Sequence, residues 1–564
     1  MSDKPVTHQR GGEYVYDALV DVGVKTLVGL PGTQTLPLDQ TVARRDKIAY
    51  VMARHETAIP HIAWGYYEAS GDVAATVTVP GPGDTNAAHG LKNAYDDNVP
   101  IIHISADASP EEFGKHPIHE IDPETFDNVV KANINIERPS QFRAEINRGI
   151  EIALTPPFGP VRLGIPSEFL ASEVVSSDAS VSPERIEYAT ETARSAAVEL
   201  LAESRRPVIY AGGGARRSEA GPAAVAAVAN RLDSPVAVSV KGKGVFPEDD
   251  SRYLGSTGGD FPAGARGVLE AADVVLAIGC DFDGPNTANW SLPMGDKLIH
   301  INLDPAEIDV SYDTDIGIVG DAGRVCSAIA ENLENRDGTK TWNGRQLATV
   351  VRKEYRNELR SQGLLGDSTP LGTPAIMQAV REAIPDETVV TTDIGAHRVW
   401  SKNSFPVYER KKYITAGSWA GMGVGLPSAI GAKLAQPELP VVCLSGDGSL
   451  LMCTQELHTA AEYDLDVTLV LLNDADYGAI SKSSELDDEA GNRRFSWSSP
   501  DWISVAKGFG CQGRRASSHA EVIDAVEWAL DTDGPTLIDI AVDPDEPTPY
   551  DAAEYETDID PTAY

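Results

Sequence analysis

Long apolar runs are missing from this chain. Nowhere in its 564 residues does a stretch approach the roughly 18 apolar positions of a membrane helix, which excludes a helical span. The opening segment, MSDKPVTHQRGGEY, lacks an apolar signal core, and a cytoplasmic protein is expected. Cysteine is sparse: Cys280, Cys326, Cys443, Cys453 and Cys511 are scattered, and no two form a CxxC pair. Cys443 and Cys453 fall in apolar segments and read as inert packing thiols. Basic residues are in short supply, 47 against 85 acidic ones, for a formal charge of -38. That balance argues against nucleic acid and against an anionic membrane as partners. The acid is spread along the whole chain rather than gathered in a tail, so it reads as a solvated surface. Adaptation to a high-salt cytoplasm, where screening makes self-repulsion tolerable, is the expectation.

What is present is length for about three domains and a hydrophobic share of 42%, as in a globular protein. The most informative stretch spans 441–480. Residues 441–445 form an apolar run of strand length, closed by Gly446, Asp447 and Gly448. Residues 450–463 place apolar side chains at helical spacing and predict one helix. Residues 467–472 are a second buried-strand pattern and run into Asn473-Asp474-Ala475-Asp476. Strand, helix and strand in that order imply a parallel βαβ unit, whose functional groups gather at the carboxyl ends of the strands. Asp447 and Asp474, 27 positions apart, are therefore expected to face one crevice. Paired carboxylates beside glycine turns suit a hard divalent cation that keeps a phosphate in its shell. The glycines would let backbone N–H groups approach that phosphate. Gly-Asp-Gly alone reads as a tight turn; the second acidic turn on the next strand points beyond one.

The same alternation recurs elsewhere. Strand patterns at 26–30, 48–53, 74–79 and 100–105 alternate with helical ones, as in a doubly wound parallel sheet. Residues 171–190 read as a linker, and 334–372 as a second, charged and helix-prone one. Between them, strands at 207–210, 236–240, 274–279 and 298–303 give a Rossmann-like pattern. Its glycine run, Gly212 to Gly214, lacks the GxGxxG spacing of a dinucleotide site. The tail, 543–564, is acidic and Pro-rich, and is expected to be mobile or to cover the site.

Gly-Asp-Gly, a helix, a strand and an Asn-Asn-like turn resemble the signature of the thiamine-diphosphate-dependent enzymes, the group of acetolactate synthase, benzoylformate decarboxylase and pyruvate decarboxylase. The runs RHETAIPHIAWGYYEASG and TVPGPGDTNAAHGLKNAYDDNVPIIHIS are similar to that family's pyrimidine-binding domain, so the resemblance covers essentially the whole chain. It implies three α/β domains with doubly wound parallel sheets. These are a pyrimidine-binding domain over 4–173, a central Rossmann-like domain over 193–333 and a diphosphate- and Mg²⁺-binding domain over 373–542.

The resemblance assigns Mg²⁺ to Asp447, Asp474 and the carbonyl of Asp476. Asp474 stands where the family has asparagine, and a one-residue slip to Asn473 stays open. Gly446, Gly448, Ser449, Tyr477, Gly478, Ala479 and Ile480 are assigned to cofactor binding, and Gly395, Ala396 and His397 to contact with the diphosphate. Glu56 would hydrogen-bond N1′ of the aminopyrimidine, with Pro31, Gly32, Gly81, Pro82 and Asn86 around the ring. Ala420 is also assigned to cofactor binding, and Met422, two positions on, takes the place of the residue that props the cofactor into a bent shape. By position alone Glu56 could be a first-turn helix charge, and Met422 a core methionine. His116 and His119 match positions near the substrate in relatives, although histidines in a polar loop are commonly solvent-exposed.

The implied chemistry is decarboxylation of a 2-oxo acid, followed by carboligation as in acetolactate synthase or by release of an aldehyde. The pyrimidine and diphosphate ends bind different domains, from different subunits in the family, so a homodimer or homotetramer is implied. Central domains of relatives bind FAD, ADP or nothing. Asp281 and Gly284 replace arginines of the acetolactate synthase pattern, which argues against FAD. Ser483 replaces that enzyme's selectivity tryptophan, which favours the alternative, a decarboxylase of aromatic or other bulky 2-oxo acids. A catalytically silent paralogue is the remaining reading.

Overall fold

The computed structural model describes residues 8–175, 191–333, 342–366, 368–484 and 495–564. Most of the linker expected at 171–190, part of the one expected at 334–372, and the side chain of Ser483 lie outside the described residues.

Three six-stranded sheets, all parallel and covered on both faces by helices, organise the chain. Their strands are nearly continuous apolar runs, as in Val467–Asn473, because helices bury both faces of a parallel sheet. The first sheet contains, in chain order, Thr26–Gly29, Ala49–Met52, Ala75–Thr78, Ile102–Ser105, Ala132–Asn135 and Val161–Gly164. The last contains Val389–Thr392, Tyr413–Ile414, Val441–Gly446, Val467–Asn473, Gln512–Ala516 and Thr536–Ala541. Numbered within each domain, both have the spatial order 2-1-3-4-6-5. The central sheet, from Pro207–Ala211 to Ile316–Val319, has the order 3-2-1-4-5-6. In the first and last sheets the order reverses between strands 1 and 3. A crevice opens there at the carboxyl ends, where open α/β sheets hold ligands.

The first and last domains share one core cluster. Helix Ala58–Ser70 of the first lies on helix Gly425–Ala435 of the last, and two glycines set how closely they cross. A methyl group on Gly65 would collide with the backbone of Ser428, and one on Gly431 with that of Ile62. Met52 N–H also donates to the Tyr463 hydroxyl at 2.7 Å, and Arg54 N–H to Glu456 at 3.1 Å.

Two expectations need correction. Residues 450–463 do not form one helix but two short ones, Asp447–Leu450 and Glu456–Glu462. Between them the backbone winds through i+3 bonds, Met452 to Ser449 and Cys453 to Leu450, while the Thr454 hydroxyl takes the Leu450 carbonyl. The tail is docked rather than mobile. Ile559 and Tyr564 pack on the core of the central domain, Thr557 donates to Glu354, and Tyr564 carbonyl accepts Asn343 N–H. Helix Gly344–Ser361, within the second expected linker, buries Leu347, Ala348 and Val351 in that same core.

Candidate active site

In the last domain the crevice lies between the loops that follow Val389–Thr392 and Val441–Gly446. The first loop carries Gly395, Ala396 and His397 at the start of helix Ala396–Ser404; the second carries Asp447, Gly448 and Ser449. Asp393, at the end of its strand, joins its own loop to the segment before helix Gly425–Ala435. Its carboxylate accepts the N–H groups of Ile394 at 2.7 Å, Gly423 at 2.9 Å and Gly425 at 2.7 Å. Burial raises the Asp393 carboxyl, and those three N–H groups oppose the shift. The Ser449 hydroxyl donates to the Ile394 carbonyl at 2.7 Å, which ties the two loops together.

Asp447 is buried, and one of its carboxylate oxygens has no hydrogen-bond partner. Burial, then the charge of Asp474 beside it, pushes its carboxyl up to about 7. Asp474 is also raised by burial, against the opposing charge of Lys482. Two carboxylates thus abut at the strand ends, the arrangement that a bound dication relieves. Asn473 is engaged elsewhere: its amide donates to Asp539 at 2.9 Å and to Ser499 at 3.1 Å. Asp476 turns its side chain to the Ser481 hydroxyl at 2.7 Å. Among the described residues no three His, Cys, Asp or Glu side chains converge as a metal cluster.

His397 is buried with an unpartnered Nε2, and burial brings its pKa down to about 4, so it stands neutral. Its ring lies against Gly446, where an added methyl would come to 3.2 Å. Gly448 faces Tyr477 at 2.9 Å and Trp497 at 3.2 Å on the same measure. The rings of Tyr477 and Trp497 meet edge to face at 4.9 Å. Gly478 is buried against Asp474, whereas Tyr477, Ala479 and Ile480 are exposed.

The first domain's crevice gathers most of the residues expected there. Glu56 is half-buried after the second strand, and its Oε2 accepts Asn86 Nδ2 at 3.1 Å. Gly81, at φ +61°, starts helix Pro82–Asp96, with its Cα against the His119 carbonyl. Gly32, after Pro31, packs on Val79, and its N–H donates to Thr35 at 2.9 Å. His119 Nδ1 bonds Gln34 at 3.2 Å, so it sits at this crevice, whereas His116 is exposed in the outer part of its loop. Beneath the helix, Asp84 bonds His103 at 2.9 Å and Arg162 at 2.8 Å. Burial alone would raise Asp84, but Arg162 and His103 hold it well below the usual carboxylate range.

Met422 is half-buried and lines a cavity of about 310 Å³ with Thr57, His89 and Met452. Ala420, two positions before it, has φ +48°. Sequence reasoning missed Asp393, His89, Lys482 and Trp497. Asp393 closes a strand pattern just before Gly395, a signal open to use; the other three meet the site only through the fold.

The central domain holds a larger cavity, about 770 Å³, between its strand ends and the first domain. Seven carboxylates and three cations line it, Lys131, Arg217 and Lys241 among them. The glycine run has a packing role: methyl groups on Gly212 and Gly214 would press into the Gly279 backbone. No described helix is long and apolar enough to cross a membrane.

Three family models match the chain. They are the thiamine pyrophosphate enzyme N-terminal TPP binding domain over 9–126, the central domain over 194–329 and the C-terminal TPP binding domain over 393–540. A probable acetolactate synthase large subunit of Methanococcus aeolicus is 31% identical over 95% of this chain and 92% of its own length. One from Methanocaldococcus jannaschii is 31% identical over 96% and 93%. The acetolactate synthase isozyme 1 large subunit of Escherichia coli is 27% identical over 95% and 94%. With its three parallel-sheet domains and full-length likeness to these proteins, the chain belongs to the thiamine pyrophosphate enzyme family.

Proposed function

We propose that the chain is a thiamine-diphosphate- and Mg²⁺-dependent enzyme of the acetolactate synthase kind. It would decarboxylate pyruvate or a similar 2-oxo acid and join the remainder to a second carbonyl compound. The observation that carries this reading is the abutting pair Asp447 and Asp474 at a switch point, with an unpartnered carboxylate oxygen and an unpartnered His397 Nε2 beside it. The donor set suits Mg²⁺: two carboxylates and the Asp476 carbonyl, with the other positions left to diphosphate and water. The start of helix Ala396–Ser404 offers the diphosphate N–H groups.

The bound cofactor supplies a stabilised carbanion equivalent. The chain's own residues bind, orient and move one proton. Asp447 and Asp474 would hold the metal and do no bond-making. Glu56, positioned by Asn86, would hold the proton shared with the aminopyrimidine N1′. Met422 would support the cofactor in its bent shape, which is catalysis by proximity. Pro31, Gly32, Gly81 and Pro82 shape the pyrimidine end, and His119 sits where it can face substrate.

Glu56 would come from a second copy of the chain, so the working unit is a homodimer or a homotetramer. Exposed apolar side chains around the last domain's crevice, Leu451, Met452, Tyr477 and Ile480, support a covering partner. FAD fits the central cavity poorly, because its excess of carboxylates would repel a dinucleotide's phosphates. A second reading, decarboxylation of a bulkier 2-oxo acid to an aldehyde, is favoured by Ser483 in place of a tryptophan. Product analysis in high salt, with Mg²⁺ and thiamine diphosphate, decides. Pyruvate yielding acetolactate supports the first reading. Aldehyde and CO₂ from an aryl 2-oxo acid, with pyruvate poor, supports the second, and no turnover of either defeats both.

A further inference from the structure

Met422 sits in a segment, 415–424, that has no helix or strand of its own. It contains Gly417, Gly421 and Gly423, and Ala420 and Gly423 have φ of +48° and +85°. Such a segment has many conformations open to it when nothing holds it. A side chain whose task is to press on a cofactor needs a fixed backbone beneath it.

Three clamps hold this segment, one at each glycine. The downstream clamp belongs to the last domain: Asp393 takes the N–H groups of Gly423 and Gly425. The other two belong to the first domain. Buried Asp97 accepts Gly417 N–H at 3.1 Å, and a methyl on Gly417 would collide with its carboxylate. Asp97 is itself fixed by Trp64 Nε1 at 3.0 Å and by Lys241 Nζ at 2.7 Å. Lys241 also donates to the Thr415 carbonyl at 3.0 Å, so it grips the same segment from the central domain. His89 Nδ1 accepts Trp419 Nε1–H at 3.1 Å, and its ring occupies the space that a side chain on Gly421 would need.

Both first-domain clamps come from helix Pro82–Asp96 and its C-cap, Asp97. The same helix carries Asn86, the partner of Glu56. We propose that His89 and Asp97 are positioning residues for Met422, so that one helix of the first domain sets the Glu56 carboxylate of one site and the Met422 segment of the other. This rests on the cofactor-bending role proposed above for Met422.

The test uses the full-length protein in its native assembly, as His89→Ala and, separately, Asp97→Asn. Hydrogen exchange is read first without cofactor. Amides of residues 417–423 are expected to exchange about tenfold faster or more, with those of Val441–Gly446 unchanged. With cofactor, affinity for Mg²⁺-thiamine diphosphate should stay within about threefold, while kcat falls about tenfold or more and KM moves little. A third variant, Gly421→Ala, should lose kcat through collision with His89, and the double variant with His89→Ala should lose far less than the product of the two single losses, because both act through one contact. Unchanged exchange at 417–423 in both single variants overturns the proposal. So does faster exchange across the whole last domain, or a double variant whose loss equals the product of the two single losses. A wild-type protein that binds no thiamine diphosphate defeats the cofactor reading, while the exchange measured without cofactor still decides the clamp.

Discussion

The first and last domains are one topology used twice. Both sheets run 2-1-3-4-6-5, and in both the candidate residues sit on matching connections. Pro31 and Gly32 follow strand 1 of the first sheet, as Gly395 to His397 follow strand 1 of the last. Glu56 and Met422 each follow strand 2, and Gly81 to Asn86 correspond to Gly446 to Ser449 after strand 3. His119 follows strand 4, as Asp474 does. The chemistry differs. The last crevice packs two carboxylates together, fit to hold a dication, whereas the first offers a single glutamate bonded to an amide. The difference teaches that the switch point supplies only a place; the side chains on its loops decide whether it anchors charge or moves a proton.

The sharpest way to break this division is Asp447→Ala. It should abolish Mg²⁺-dependent retention of thiamine diphosphate by calorimetry, because the buried metal ligand is gone; unaltered affinity would contradict the metal assignment. Glu56→Gln attacks the other end. Cofactor affinity should stay within a few-fold while turnover falls by about 10²-fold or more, the scale of lost acid–base catalysis. A pH series separates the crevices more finely. Asp447 holds its proton up to about pH 7, and a metal must displace that proton. Apparent Mg²⁺ affinity should therefore fall by about tenfold per pH unit below 7 and level off above it. Without metal, the native state keeps that proton where the unfolded chain has released it, so stability should fall as pH rises from the ordinary carboxylate range to about 7. The smallest effect is expected from Asp474→Asn, which keeps a ligand oxygen and removes one charge. Mg²⁺ affinity should change by less than about tenfold, and the Asp447 titration should move downward.

Sequence spacing revealed the parts of the site that lie close together in the chain. Asp447 and Asp474 are separated by one connection and one strand, so strand patterns alone brought them to neighbouring strand ends. Glu56 and Asn86 fell on adjacent connections and do bond each other. What the sequence concealed is held by distant partners: Trp419 and His89 are 330 positions apart, and Gly417 and Asp97 are 320. No periodicity couples such pairs. The single helix expected over 450–463 failed for a local reason, since helical apolar spacing does not exclude a run of i+3 turns in its middle. The tail was legible as acidic but not as docked, because Ile559 and Tyr564 find their apolar partners only on the folded central domain.

Coexpression of two defective chains tests the central claim most directly, that Glu56 of one copy and Asp447 of another serve one site. Glu56→Gln and Asp447→Ala homodimers should each be nearly inactive. A random mixture should recover up to about a quarter of wild-type turnover, because half the dimers are hybrids and each hybrid has one intact site. Activity no higher in isolated hybrid dimers than in either parent would place both residues on the same chain's site, and contradict the account.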